Sequence, residues 1–65
     1  MQNSDKNSEE IVDQLRVISE QLADQALSVL KQAHAAGESK RPEQERTLTQ
    51  ARRAVEKAIS LLSRN

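Results

Sequence analysis

Gly37-Glu38-Ser39-Lys40-Arg41-Pro42 contains the only glycine and the only proline of a 65-residue chain, with long apolar periodicities on either side of it. Gly37 can take the left-handed conformation that ends a helix after Ala36, free of the steric penalty a Cβ would bring. Pro42 suits a first helical turn, where its missing N–H has no partner to lose. The stretch therefore reads as the turn of an antiparallel two-helix hairpin. The expected fold is all-α, with one helix over about 8–36, a turn over 37–41 and a second helix over about 42–63.

Upstream of the turn, Ile11, Leu15, Ile18, Leu22, Ala26, Val29, Ala33 and Ala36 recur every three or four residues, the apolar stripe of an amphipathic helix. Val12, Ala23, Leu27 and Leu30 widen that stripe on one flank, a line of glutamines (Gln14, Gln21, Gln25, Gln32) borders the other, and Asp13, Glu20, Asp24 and Lys31 take the far face. Asn7 or Ser8 can cap this helix, with Glu10 completing a capping box from Asn7. Glu9 and Glu10 suit the positive end of the helix dipole. Met1 to Asn7 shows no apolar periodicity and reads as a disordered leader before a hairpin over 8–65.

Downstream, Leu48, Ala51, Val55, Ala58, Ile59 and Leu62 form the second stripe, extended by Ala54 and Leu61. This helix is shorter, so the first two turns of its partner, including Ile11 and Val12, are expected to overhang. Both stripes are wider than a single neighbour requires.

A chain this short buries a small fraction of its surface, and it has no Phe, Tyr, Trp or Cys to enlarge or staple the core. Completion by association is the expectation. Ten Lys and Arg balance ten Asp and Glu, yet the halves differ in sign. Between Ser8 and Ala36 five acids oppose two bases, whereas between Pro42 and Asn65 three acids oppose five bases, which favours antiparallel pairing of the helices. No apolar run reaches the roughly 20 residues of a membrane span and no signal peptide is evident, so a cytoplasmic protein without membrane insertion is expected.

Catalytic chemistry has no foothold in this inventory. The single histidine, His34, lies away from the central apolar line, and the serines and carboxylates form no triad, acid pair or phosphate loop. His34 and Glu38 have the i,i+4 spacing of a metal pair, but Gly37 intervenes and no third ligand follows; a solvated histidine is the reading. An enzyme, a cofactor and a metal site are not expected. Arg46, Arg53, Lys57 and Arg64 share one line on the second helix, which in a Rop-like homodimeric bundle could face RNA. With no aromatic residue to stack on a base and no net positive charge, a solvated face is favoured, with Arg53 and Glu56 able to pair at i,i+3. The apolar surplus fits either a homo-oligomer, including a purely structural self-associating bundle, or the groove of a helical partner.

The hairpin resembles the small E-type co-chaperones of type III secretion systems, the YscE, PscE, AscE and SsaE group. The similarity spans roughly Ile11 to Leu62 and rests on chain size, a leucine- and alanine-bearing first helix ending near Gly37, the turn entering Pro42-Glu43-Gln44, and the run Ala51-Arg52-Arg53-Ala54-Val55-Glu56-Lys57-Ala58-Ile59-Ser60-Leu61-Leu62. Where that family often has tyrosine after the glutamine, this chain has Glu45. The resemblance implies a cytoplasmic, non-catalytic protein that binds a tetratricopeptide-like chaperone and, through it, keeps a needle subunit soluble and monomeric before export. Partner contact is expected from Val12, Leu15, Leu22, Leu27, Leu30, Leu48, Val55, Ile59 and Leu61. Of these, Val12, Leu27, Leu30, Leu48 and Leu61 are the stripe-edge positions, while Leu15, Leu22, Val55 and Ile59 share seam and partner surface with Ile18, Val29 and Leu62.

Overall fold

The computed structural model describes residues 3–64, with side chains from Ser8 onward. It is the antiparallel hairpin expected from the turn: α1 spans Asn3–Ala35 and α2 spans Glu43–Ser63. The Cα trace measures 55 × 14 × 12 Å, a rod one helix pair thick.

Gly37 has φ 83°, in the left-handed region. This residue closes α1 with a Schellman arrangement: the Glu38 amide donates to the Ala33 carbonyl at 3.0 Å and the Gly37 amide to the His34 carbonyl at 3.0 Å. Two of the carbonyls that the helix end would leave unpaired are thus satisfied within the turn. Pro42, with φ −64° and ψ 146°, is the N-cap of α2, one position before the first helical turn in which it was expected. Its carbonyl accepts the first bond of that helix, from the Arg46 amide at 3.2 Å.

The start of α1 differs from expectation. Instead of beginning at a cap at Asn7 or Ser8, the helix runs from Asn3, so Asn7, Ser8 and Glu10 are interior helical positions. Residues 3–7 contain neither glycine nor proline, and lengthening an existing helix fixes only one residue per added hydrogen bond. The leader expected over 1–7 is therefore helical from Asn3, and Met1 and Gln2 lie outside the described residues.

The core is thin. Val12 at 7% exposure and Ala26 at 8% are the buried apolar residues among those described, and no described side chain is completely enclosed. Val12 corrects the expectation of an overhang reaching that far. Ser19 touches Arg52 and Glu56 across the seam, so Val12, two turns earlier in α1, comes level with the C-terminal end of α2 and shares a depression with Leu61 and Leu62. The tight turn draws the helices into this register. Ile11 keeps 46% exposure at the edge of the paired region.

Candidate docking face

The residues at the centre of the seam are not those at the centre of the apolar stripes. On α1 the facing line is Val12, Ser19 and Ala26, spaced by seven residues, and Ser19 is only 6% exposed. Small side chains at Ser19 and Ala26 let the two backbones approach closely. On α2 the corresponding line is Glu45, Arg52 and Ile59: Glu45 is 7% exposed, Arg52 reaches Ser19, and Ile59 is half-buried. Serine, glutamate and arginine therefore occupy positions that a stripe reading gives to leucine and isoleucine.

Each polar group in the seam has a partner. The Arg41 guanidinium forms a salt bridge with Glu45 through Nε and donates a second hydrogen bond through Nη2 at 3.3 Å, while the Thr49 hydroxyl donates to the same carboxylate at 3.0 Å. The hydrogen bond from Arg41 holds the Glu45 carboxyl below its ordinary range, helped by Thr49 and opposed by burial. The same contact raises the Arg41 guanidinium. These three residues tie the turn to the first two turns of α2. Further along, Arg52 Nε lies 3.4 Å from the Ser19 hydroxyl, which in turn lies 3.5 Å from Glu56 Oε2, and Arg52 pairs with Glu56 at 3.3 Å. Glu56 thus pairs with Arg52 rather than with Arg53 as the i,i+3 spacing suggested; i,i+4 brings the long arginine over the carboxylate and onto Ser19.

Turning the seam away from the stripes gathers apolar residues of both helices on one side, while Val17, Leu27, Leu30 and Leu61 stand exposed elsewhere on the hairpin. In an α-helix a residue one position before a given one lies about 100° round the axis, and a residue three positions later about 60° round in that same sense. Relative to the α1 facing line, Ile11 and Ile18 are the former, and Leu15, Leu22 and Val29 the latter. Relative to the α2 line, Ala51 and Ala58 are the former, and Leu48, Val55 and Leu62 the latter. Because both helices are right-handed and run antiparallel, these two displaced sets meet on the same face of the hairpin. Ile18 is 42% exposed and Leu62 41%, while Leu15, Leu22, Val29, Val55 and Ala58 are half-buried at its base.

The residues expected to contact a partner separate accordingly. Leu15, Leu22, Leu48 and Val55 lie on the open face with Ile11, Ile18 and Leu62, and Ile59 stands half-buried on the seam line itself. Val12 belongs to the seam and is not available as an edge contact. Leu27 and Leu30 lie on the opposite side, where with Ala23 they share a shallow groove with Glu45, Thr49 and Arg52 that Leu22 also borders. Leu61 is 53% exposed and borders the depression it shares with Val12 at the open end of the hairpin. Ile18 and Leu62, expected for seam and partner surface without division between them, fall on the face, and Ile11 and Ala51 are members of it that no partner expectation included. The heptad spacing of the small residues Ser19, Ala26 and Ala33 was the signal that could have found them, since small residues in register permit close helix contact.

The basic line and the histidine lie elsewhere. Arg46 and Arg53 follow Glu45 and Arg52 by one position, which puts the basic line on the side away from the apolar face. His34 is exposed. Among the described residues no group of three His, Cys, Asp or Glu side chains could hold a metal ion, and no helix is long and apolar enough to cross a membrane. No family model matches the chain, and neither a curated protein nor a solved structure matches it.

Proposed function

We propose that this chain works by non-covalent association, as a helical docking module whose open face packs against helices of another protein. The observation that carries the reading is the common tilt of both apolar stripes. Had Ile11, Ile18, Val55 and Leu62 faced the seam, the hairpin would be self-sufficient; placed together on one side, they form a surface suited to helix packing. Completing the burial of a half-exposed Ile or Leu contributes about 1 kcal/mol, at roughly 25 cal/mol per Å² of apolar area. Several such residues on one face supply a useful binding energy once the cost of association is subtracted.

In the form suggested by the resemblance to type III secretion co-chaperones, the partner is a tetratricopeptide-like chaperone, and the pair holds a needle subunit soluble until export in the cytoplasm. A helical-repeat groove is the right shape for a rod of two helices. No catalytic step or cofactor enters this role. Co-expression with a tetratricopeptide-like chaperone and its needle subunit tests it: a ternary complex that survives purification, and is lost with Ile18→Lys while Leu27→Lys keeps it, is the expected result. A chain that purifies free of both proteins would overturn the co-chaperone form.

A further inference from the structure

We propose that, in the free protein, a second copy of this chain covers the open face, giving a four-helix bundle in which the two turns lie at the same end. The inference rests on the reading of that face as a docking surface and adds its occupant when no other protein is present.

Surface area is the first support. The chain exposes 5389 Å² for 7.3 kDa. A compact monomer of that mass exposes about 4200 Å², so this rod carries about 1200 Å² in excess. A standard stable interface takes about 800 Å² from each partner. The excess is therefore large enough for one interface of ordinary size. A two-fold dimer matches the face to itself, with Ile18 and Ile11 of one chain level with Val55 and Leu62 of the other.

Charge selects the arrangement. Net charge is zero, so two copies do not repel as wholes. With the turns at the same end, each α1 lies between its own α2 and the α2 of the other copy, every neighbouring pair is antiparallel, and acid-rich helices alternate with base-rich ones. With the turns at opposite ends, α2 lies beside α2 and α1 beside α1, so helices of like net charge become neighbours. The edge of α1 bordering the face carries Gln14, Gln21 and Gln25, uncharged amides that present no like charge to a second copy.

Sedimentation equilibrium on the full chain, from micromolar to several hundred micromolar, tests the occupant. The expected species is twice 7.3 kDa. Ile18→Lys should weaken the dimer at least tenfold, whereas Leu27→Lys, on the opposite side, should leave it unchanged. Ala51→Glu, at an exposed position of the face, provides a second variant should Ile18→Lys lose its helical circular dichroism. A helical monomer at every concentration, a trimer or larger species, or sensitivity to Leu27→Lys rather than to Ile18→Lys and Ala51→Glu would overturn the proposal. A helical monomer that still captures a partner through Ile18 would remove the second copy and keep the docking role; one that captures nothing would remove both.

The chain has no cysteine, so spin labels on Ser39→Cys report the arrangement directly. Turns at the same end place the two labels within about 20 Å, given interaxial distances of 8–10 Å. Turns at opposite ends separate them by about 35 Å, the length of some 22 paired helical residues, and would overturn the proposed orientation.

Discussion

Replacing Gly37 by alanine isolates what the turn contributes. At φ 83° a Cβ is disfavoured by its own backbone, yet a Cβ built on Gly37 meets nothing within 4 Å. The penalty is thus conformational, with no contribution from packing. Holding an L-residue in the left-handed region costs about 1–2 kcal/mol. Loss of freedom in the unfolded chain returns about 0.4–1 kcal/mol of that. The net destabilisation is then about 1 kcal/mol, which for a chain of this size lowers the thermal midpoint by about 4–8 °C. Gly37→Asn should lose less, because asparagine enters this conformation more readily. Thermal unfolding followed by circular dichroism at 222 nm, at one fixed chain concentration, is the assay, since association makes the midpoint depend on concentration. The reasoning is refuted if the alanine variant melts with or above the parent, because the Schellman closure would then not require the left-handed residue.

Two further outcomes follow from the seam. Arg41 and Thr49 hold the Glu45 carboxyl below its ordinary pKa, so the native state binds fewer protons than the unfolded state just below pH 4.5. The stability contributed by this group is present above its unfolded pKa and is lost as pH falls through the lowered folded value; a denaturant series from pH 6 to pH 2 should show it, and Glu45→Gln should flatten that dependence while lowering stability at pH 7. Equal slopes for parent and variant would rule out the Arg41–Glu45–Thr49 contact as a source of stability. Ala26 is 8% exposed on the facing line, where a larger side chain would press against α2. Ala26→Leu should cost about 1–3 kcal/mol by forcing the helices apart, and a neutral or stabilising effect in urea unfolding would show that the seam is not closely packed there.

The architecture was legible because it depended on punctuation. One glycine and one proline between two helical periodicities left few alternatives, and the observed boundaries around Gly37 and Pro42 lie within a residue of those expected. The beginning of α1 was not legible: Asn7-Ser8 has the composition of a cap, but nothing in residues 3–7 breaks the helix before it. The face was legible only in part. Both stripes were visible, and their excess width indicated a second neighbour, but a hydrophobic stripe does not state which part of its arc meets the partner helix. That rotation was decided by small and polar residues. Ser19 and Ala26 permit close approach, and Glu45 reaches Arg41 and Thr49 only with its side of α2 turned inward. Val12 was drawn into the seam for the same reason, and Leu27 and Leu30 were carried to the side opposite Ile18. An apolar periodicity passes over Ser19, and that hid all three.

Thiol reactivity at one position on the open face, measured against chain concentration, is the most direct test that this face is the one that becomes covered. Ala51→Cys introduces a single small thiol on the face, and Ser60→Cys, one position after Ile59, places one on the side of α2 turned away from it. The expected result is that Cys at 51 reacts several-fold more slowly with a maleimide at high chain concentration than at low, while Cys at 60 reacts at the same rate throughout. Equal rates for both positions at all concentrations, or protection at 60 instead of 51, would contradict the account.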